Sequence, residues 1–409
     1  MNYLMNNDFI LIHILKYLDV KDLMRTSYTN KTIYNIIYNS DNCLFDNFEM
    51  VYNKEELPIN YKFLLKKIEL NPINSLNLIL CENLVLAKLI LKKVNVKNLK
   101  KLIIPLAIFR GKTDLQKFKE IIELSIKNMY FNEVGMEYNV FLIPNIFLLS
   151  NLKKLKLNNI KYINAEFLNF LQCKLEHLDL RECMDFKIED FSNYLLKVKD
   201  TLKVLKLDGE NSNLNHLINI IPNMDSLTEL TISYCENLND NFLEMIMIIS
   251  QKFKKLTLRK LRNISSKCFE NFFQNSLLYN LEKIDFYDAP KLNDKSVSYL
   301  SKYSNLKYID ISWSDNVKNE SIIKIFLNCK KLEKIYLQGC KSIDDEVFEK
   351  CFIGKKNINK FDNLKLIDLT KCDLVSDNII LDVYNEFPWI SIINYYGRDL
   401  RDDDYGFLI

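Results

Sequence analysis

The side chains best suited to chemistry in this sequence are three histidines and ten cysteines, and their spacing matches no catalytic or metal-binding pattern. His13, His177 and His216 lie far apart, and none has a metal ligand or a nucleophile at motif spacing. No Cys-x-x-Cys pair occurs, and neither glycine-rich phosphate-binding motif is present. The sequence therefore predicts a protein that is not an enzyme and that has no catalytic residue, no metal site and no cofactor.

The elements that would position functional side chains come from an internal repeat. Each copy has an apolar residue, two mostly polar residues, an apolar residue, one variable residue and a further apolar residue. Successive copies begin 23 to 32 residues apart. The copies are Leu152/Leu155/Leu157, Leu175/Leu178/Leu180, Leu202/Leu205/Leu207, Leu227/Leu230/Ile232, Phe253/Leu256/Leu258, Leu281/Ile284/Phe286, Leu306/Ile309/Ile311, Leu332/Ile335/Leu337, Leu364/Ile367/Leu369 and Ile390/Ile393/Tyr395.

Each repeat combines two apolar periods. The alternation at the end of each copy is typical of a short strand with one buried face. A second apolar group about a dozen residues later, such as Ile322/Ile325/Phe326, has helical spacing. Neither element can bury its apolar face alone, so neighbouring repeats must stack. The sequence predicts an α/β solenoid with parallel strands on its concave face and helices on its convex face.

This repeat resembles the leucine-rich repeat, and more narrowly its cysteine-containing class. In that class a cysteine lies three residues after the last strand leucine, as Cys183, Cys235, Cys340 and Cys372 do here. Five other repeats carry a different residue at this position, namely Ile160, Glu210, Leu261, Ala289 and Ser314. The resemblance implies that the cysteines are small buried residues in a turn. It also implies aspartates near the following helix start, and Asp240, Asp294, Asp345 and Asp377 stand where an N-cap is expected.

Residues 49–150 fit the repeat less regularly. Matches to the strand pattern occur at Leu65/Ile68/Leu70, Leu86/Leu89/Leu91, Leu99/Leu102/Ile104 and Ile121/Leu124/Ile126. Leu86 and Leu99 are too close for two full repeats, so one of those two matches is expected to be false. We expect a linker helix and degenerate repeats over 49–150, regular repeats over 151–396 and a tail over 397–409. The tail end Phe407-Leu408-Ile409 either caps the last repeat or lies across the concave face.

Residues 1–48 do not fit the repeat and show three short helical apolar patterns instead. They resemble the F-box in five pairs, which are Ile14-Leu15, Tyr17-Leu18, Asp22-Leu23, Asn30-Lys31 and Leu44-Phe45. Asn6-Asn7 replaces the Leu-Pro of that family, and Ile33 and Phe45 replace its tryptophans. The resemblance implies a substrate receptor of an SCF-type cullin–RING ubiquitin ligase. The residues that would bind the adaptor subunit of the ligase are Ile14, Leu15, Leu18, Leu23, Leu44 and Phe45.

The repeat geometry predicts a second binding surface, for a protein substrate, on the concave face. Side chains on and just after the strands are basic in the early repeats and aromatic and acidic in the later ones. The residues expected to contact a partner are Arg181, Arg259, Asp285, Tyr287, Tyr308, Asp310, Trp313 and Tyr336. Stacking should bring Tyr287, Trp313 and Tyr336 close together, where they would either anchor a partner or pack sideways and stiffen the array.

Two other functions remain open at this stage. If residues 1–48 are only a helical cap, the protein is a scaffold or adaptor for protein–protein interaction without a ligase link. Alternatively the basic half of the groove binds RNA or a phosphoprotein, although a net charge of +3 does not favour nucleic acid. No signal peptide pattern and no apolar run long enough to span a bilayer is present, which favours a cytoplasmic and/or nuclear protein without a membrane partner.

Overall fold

The computed structural model describes residues 47–49, 61–70, 72–109, 115–127, 146–160, 165–183, 187–209, 213–354 and 361–401. The chain divides into two compact units, Met1–Phe186 and Lys187–Ile409. All six predicted adaptor-binding residues, His13 and Phe407-Leu408-Ile409 lie outside the described residues. Among the residues that are described, no helix has both the length and the apolar composition needed to cross a membrane.

The described part of the first unit contains six parallel strands in chain order. They are β1 (Asn47–Glu49), β2 (Ser75–Asn77), β3 (Lys101–Pro105), β4 (Glu123–Lys127), β5 (Lys154–Asn158) and β6 (His177–Asp179). The pairing aligns one apolar residue from every strand, and all of these side chains are buried: Phe48, Leu76, Leu102, Leu124, Leu155 and Leu178. This continuous row is the core that the repeat pattern predicts.

The described part of the second unit follows the same rule with eight parallel strands. They are β7 (Val204–Asp208), β8 (Glu229–Ser233), β9 (Lys255–Leu258), β10 (Lys283–Asp285), β11 (Tyr308–Asp310), β12 (Lys334–Tyr336), β13 (Leu366–Asp368) and β14 (Ser391–Ile393). Their aligned core row is fully buried and consists of Leu205, Leu230, Leu256, Ile284, Ile309, Ile335, Ile367 and Ile392. A strand is therefore present at every one of the ten regular matches in the sequence. In the last match the predicted register is wrong by one residue, because the buried core residue is Ile392 and not Ile393.

Helices connect successive strands. The α-helices among the described residues are α1 (Tyr61–Leu70), α2 (Leu84–Lys93), α3 (Ile188–Lys197), α4 (Leu217–Ile220), α5 (Asp240–Ile248), α6 (Ser266–Asn275), α7 (Asp294–Ser298), α8 (Asn319–Asn328), α9 (Glu346–Cys351) and α10 (Asp377–Glu386). Short 3₁₀ helices cover Leu106–Phe109, Gln116–Phe118, Ile146–Leu148, Ala165–Phe170, Leu214–His216, Ile221–Asn223, Ser250–Lys252 and Tyr299–Lys302. Most of the longer helices bury one apolar face. In α6 that face is Phe269, Phe272 and Phe273.

The early repeats correct part of the sequence prediction. The match at Leu65/Ile68/Leu70 lies in α1, and the match at Leu86/Leu89/Leu91 lies in α2, so neither is a strand. Asn83 explains the second case, because its side chain accepts a hydrogen bond from the backbone N–H of Leu86 and caps α2. The strand in this region is β2, whose flanking residues Ile73/Leu76/Leu78 also fit the pattern. The matches at Leu99/Leu102/Ile104 and Ile121/Leu124/Ile126 are strands, as predicted.

The predicted aspartate N-caps are mostly wrong by one residue. The side chains of Asn293 and Ser376, each one residue before the predicted Asp, cap α7 and α10. The aspartates instead join one repeat to the next. Asp240 accepts hydrogen bonds from the backbone N–H and the hydroxyl of Ser265, at 2.7 and 2.6 Å. Asp345 accepts the equivalent pair from Ser376, both at 2.8 Å. These carboxylates therefore brace neighbouring repeats.

The cysteine interpretation is confirmed for the four positions that match the class. Cys183, Cys235, Cys340 and Cys372 are all buried. Three of the thiols donate to a carbonyl oxygen of the preceding repeat; for example, Cys372 Sγ lies 3.0 Å from the oxygen of Leu337. Burial raises the pKa of the Cys340 and Cys372 thiols to about 12. These residues fill a turn and hydrogen-bond a neighbouring strand end.

The chain turns back on itself after β14. Gly397, with φ of +79°, adopts a left-handed conformation that glycine tolerates. Beyond this turn the backbone N–H of Asn394 donates to the oxygen of Arg398 at 2.8 Å, and Ile393 forms an antiparallel bridge with Asp399. Residues 397–401, assigned to a tail from the sequence, therefore pair with the outer edge of β14.

A group of polar side chains, the C-terminal clasp of Tyr384, Ser391, Asp399 and Arg401, holds this turn in place. Asp399 is nearly buried and accepts hydrogen bonds from the Tyr384 hydroxyl at 2.8 Å and the Ser391 hydroxyl at 2.6 Å. Arg401 donates to both carboxylate oxygens, at 3.0 and 2.7 Å. Burial alone would raise the pKa of Asp399, but these hydrogen bonds outweigh it and hold that pKa well below its usual range.

Candidate protein-binding surface

The strand face of the second unit is the surface formed by side chains that point away from the core row. Because successive side chains of a strand alternate, the first and third residues of each three-residue strand lie on this face. The first positions of β9 to β12 are Lys255, Lys283, Tyr308 and Lys334. The third positions of β9 to β13 are Thr257, Asp285, Asp310, Tyr336 and Asp368.

An ion-pair cluster lies at one side of this face. Asp285 is fully buried, and Arg259 donates to its two carboxylate oxygens at 3.0 and 2.7 Å. The Lys283 ammonium lies 3.4 Å from the same carboxylate. The hydrogen bond that Arg259 donates to Asp285 raises the pKa of Arg259 further. The sequence analysis expected Asp285 to contact a partner. Since its side chain is fully covered, Asp285 is not available for a direct contact. It orients Arg259, whose guanidinium lies 5.6 Å from the centre of the Tyr287 ring.

Two tyrosines form the aromatic part of the face. The ring centres of Tyr308 and Tyr336 are 5.1 Å apart, with an angle of 35° between the ring planes. The Lys283 ammonium lies 4.1 Å from the centre of the Tyr308 ring. Burial, followed by the nearby carboxylates, raises the pKa of both phenols, so each stays a neutral hydroxyl at physiological pH. Lys283 was not among the predicted site residues, although its position two residues before Asp285 places it on the same strand face.

Two further carboxylates lie on either side of Tyr336 in the strand register. Asp310 is 5% exposed and accepts a hydrogen bond from the backbone N–H of Ser312 at 3.1 Å. Burial, and then the charge of Asp285, raise the pKa of Asp310 to about 6. Asp368 is 7% exposed and accepts from the Gln338 amide at 2.7 Å and from Thr370.

Trp313 lies at the turn beyond β11 and is 40% exposed. Its φ of +60° is left-handed, which costs a bulky residue about 1–2 kcal/mol. The indole lies against Gly339, where an added Cβ would come within 2.7 Å of the ring. Among the described residues no ring contact joins Tyr287, Trp313 and Tyr336, so the predicted three-ring cluster does not form. Tyr336 contacts Tyr308 instead, because the ring of Tyr308 lies one strand away and two positions earlier in register.

Left-handed residues recur at the position that Trp313 occupies. One such residue lies two positions beyond the last strand residue of the pattern in most repeats. In the described part of the second unit they are Tyr234, Lys260, Asp288, Trp313, Gly339 and Lys371. Some of them interact, as in the Lys260 ammonium lying 4.1 Å from the centre of the Tyr234 ring. The sequence pattern alone does not reveal this row, because most members are not glycine.

The strand face of the first unit is more basic. Three lysines surround the carboxylate of Glu123, with Lys156 at 3.2 Å, Lys101 at 3.5 Å and Lys154 at 3.9 Å. Burial alone would raise the pKa of Glu123, but these lysines lower it overall. Arg181, the predicted partner-binding residue of this unit, forms an ion pair with Asp179 at 2.8 Å. The lysine-rich early surface is therefore interleaved with carboxylates.

The histidines that the structure describes are separate from these clusters. His177 is the first residue of β6 in the first unit, and His216 lies 2.8 Å from Glu189 in the second unit. Within the described ranges, no group of three or more His, Cys, Asp or Glu side chains is arranged to hold a metal ion. The side chains that the structure does bring together on the strand face are charged, aromatic and partly exposed, which is the composition of a macromolecular contact surface.

Comparison with known proteins supports this architecture. Residues 7–45 match the model of the F-box domain. A chain in the crystal structure of the Rad7 and Elc1 complex from yeast is 16% identical, with a TM-score of 0.56 over 97% of this chain and 94% of that chain. No curated protein sequence gives a significant match.

Two solved structures resemble the chain more weakly. An internalin (InlF) from Listeria monocytogenes is 12% identical, with a TM-score of 0.40 over 75% of this chain and 81% of that chain. The TLR13–ssRNA13 complex contains a chain that is 14% identical, with a TM-score of 0.41 over 79% of this chain and 49% of that chain. The F-box match and the repeating strand–helix architecture together identify the chain as an F-box domain followed by leucine-rich repeats, the arrangement of an F-box/leucine-rich repeat protein.

Proposed function

We propose that this protein is a substrate-recognition subunit of an SCF-type cullin–RING ubiquitin ligase. The observation that carries the proposal is the F-box match at residues 7–45, which directly precedes the leucine-rich repeats. The similar yeast structure contains Rad7 in a complex with Elc1, which supports a dedicated protein partner for this chain as well. In this function the chain binds and positions other proteins, performs no transfer chemistry itself, and acts in the cytoplasm and/or the nucleus.

The F-box segment would bind the adaptor through apolar side chains. Ile14, Leu15, Leu18, Leu23, Leu44 and Phe45 are the residues that carry the F-box resemblance. Apolar contact of this kind is the main favourable term in most protein–protein association. A charged substitution at one of these positions would place an unpaired charge in the interface, which is strongly unfavourable.

The strand face of the second unit would bind the substrate. It presents the ring pair of Tyr308 and Tyr336 beside Arg259, and tyrosine and arginine are enriched among residues that dominate binding energy. Trp313 adds an exposed indole held against Gly339. In the first unit, Arg181 stays a separate candidate for contact with a partner. In this proposal the adaptor binds the F-box segment and the substrate binds the strand face of the second unit.

The first experiment is co-purification of the full chain with the SCF adaptor of the same organism. The double variant Leu15→Asp/Leu18→Asp should lose adaptor binding, while the matched surface variant Tyr336→Ala should keep it. Point variants suit this test better than deletion of residues 1–48, because such a deletion removes the buried Phe48 of β1 from the repeat core. If the unmodified chain binds no adaptor, the protein is a leucine-rich repeat scaffold without a ligase link.

A further inference from the structure

The third positions of β10 to β13 bring four side chains into one row. Asp285, Asp310, Tyr336 and Asp368 lie at the same level of neighbouring strands. Neighbouring strands are about 4.8 Å apart, so Tyr336 is flanked by a carboxylate on each side, and the two carboxylates lie on strands about 10 Å apart. The chemistry that this row recognises depends on which of its charges are already neutralised within the protein.

Asp285 is neutralised and the other two carboxylates are not. Arg259 and Lys283 both form ion pairs with Asp285. By contrast, the hydrogen-bond donors to Asp310 and Asp368 are neutral groups, such as the N–H of Ser312 and the amide of Gln338. Among the described residues, the ion-pair contacts of Asp310 are limited to Arg259 at 3.9 Å, and Asp368 has none. The row therefore has more negative charge than its own cations balance.

The two tyrosine rings on this face are suited to bind a positively charged group. The face of a tyrosine ring attracts cations within about 6 Å of its centre. This surface already contains such a contact, since the Lys283 ammonium lies 4.1 Å from the centre of the Tyr308 ring. Tyr336 is the other ring of this pair and has no cation over its ring among the described residues. It lies between Asp310, whose one ion-pair contact there is Arg259 at 3.9 Å, and Asp368, which has none.

We propose that Asp310, Tyr336 and Asp368 form a site for a lysine or arginine side chain of a bound protein segment. This inference rests on the proposed function, in which the strand face holds the substrate, and it specifies the chemistry of that substrate. The cation lies over the Tyr336 ring and approaches the carboxylates on both sides. An acidic or phosphorylated segment is disfavoured here, because Arg259 and Lys283 are already engaged by Asp285.

The burial of Asp310 supports a role of this kind. Ionisation of this side chain in its buried position is unfavourable, and its pKa is raised to about 6. A group that destabilises the folded chain and yet lies on a binding face is typical of a site whose partner compensates the charge. The small exposed fractions of Asp310 and Asp368 leave room for contact with the tip of a long side chain, although not with a bulky group.

The test uses the full chain and a phage-displayed library of random 12-residue peptides. Selected peptides are then titrated as synthetic pairs in which a lysine or arginine is replaced by glutamine, against the unmodified protein and Asp310→Asn/Asp368→Asn. Asp315→Asn is the matched control, since Asp315 is exposed and its ion pair is with Lys341. We expect the glutamine peptide and the double variant each to weaken binding at least about 10-fold, without further loss when they are combined.

Three outcomes overturn the inference. These are selection of acidic peptides, failure to select any peptide whose binding depends on a lysine or arginine, and equal binding by the double variant. Tyr336→Leu, which keeps apolar bulk but removes the ring face, should also weaken the lysine peptide and not its glutamine counterpart. Adaptor co-purification is scored separately. If the chain binds no adaptor, and the effects of the glutamine peptide and the double variant still do not add, the proposed ligase function is wrong and the proposed site stands.

Discussion

Replacement of Asp310 by Asn should stabilise the folded protein at neutral and alkaline pH. Asn has the same shape and can still accept the hydrogen bond from the backbone N–H of Ser312. What the substitution removes is a charge on a side chain that is only 5% exposed and that lies near Asp285. Arg259 at 3.9 Å is the one close cation among the described residues, so little attraction is lost.

The magnitude follows from the pKa of Asp310, which burial and Asp285 raise from 3.8 to about 6. This difference corresponds to about 3 kcal/mol between the ionised and neutral forms. The folded chain keeps the proton up to about pH 6, whereas the unfolded chain releases it near pH 4. Stability therefore falls as pH rises from about 4 to 6 and is level above that range. The pKa of about 6 already includes the attraction of Arg259, so we expect Asp310→Asn to gain about 1–3 kcal/mol at pH 8 and nothing at pH 3.5.

The assay is urea unfolding followed by circular dichroism at pH 3.5, 5, 6 and 8. The groups around Asp310 are Asp285, Arg259, Tyr308 and Tyr336, and none of the last three titrates in this range. Asp315→Asn serves as the control, because it removes the charge of an exposed carboxylate by the same substitution. A variant less stable than the unmodified protein at pH 8, or a gain that is the same at every pH, would refute the reasoning.

Three further predictions concern turns, thiols and the chain end. Gly339→Ala should lower the free energy of unfolding by about 2–3 kcal/mol in urea titrations, because its Cβ clashes with Trp313. Gly354→Ala, also left-handed but without neighbours, should lose only about 1 kcal/mol, so equal losses would contradict the clash. Alkylation of Cys235 by iodoacetamide, followed by mass spectrometry, should occur only on unfolding, because the thiol is fully buried and burial raises its pKa. Asp399→Ala should cost about 2–3 kcal/mol and accelerate amide exchange in β14, and unchanged exchange would argue against the clasp.

The regular repeats were predictable because one physical constraint determines them. A strand residue such as Ile309 must be buried between two equivalent neighbours, so its sequence position recurs with the repeat. The earlier segment was harder, since apolar residues three apart fit the repeat pattern and also share one face of a helix, as Leu65 and Ile68 do in α1. At Leu86 the chain forms a helix because Asn83 caps it, and Asn83 lies outside the apolar pattern. Short apolar runs carry this ambiguity in general.

The sequence predicted which residues lie on the candidate surface, but it did not predict which of their side chains contact each other. The sequence identified Tyr308, Tyr336 and Asp310 as face residues, because alternation along a strand is fixed. It did not predict that Tyr336 would contact Tyr308 and not Trp313, since that choice depends on side-chain conformation across two strands. It also did not distinguish the neutralised Asp285 from Asp310. That difference arises from Arg259, which reaches across from another repeat.

The turn at Gly397 has a consequence for how an array of this kind changes in length. A terminal parallel strand with free backbone donors and acceptors is a template for further pairing, either with an added repeat or with another molecule. In this chain the antiparallel bridge to Asp399 occupies part of that edge. A duplicated repeat placed after β14 would have to displace the returning segment and its buried carboxylate. Growth by insertion between existing repeats leaves both intact, so lineages and designs that lengthen this protein should gain their new repeats internally.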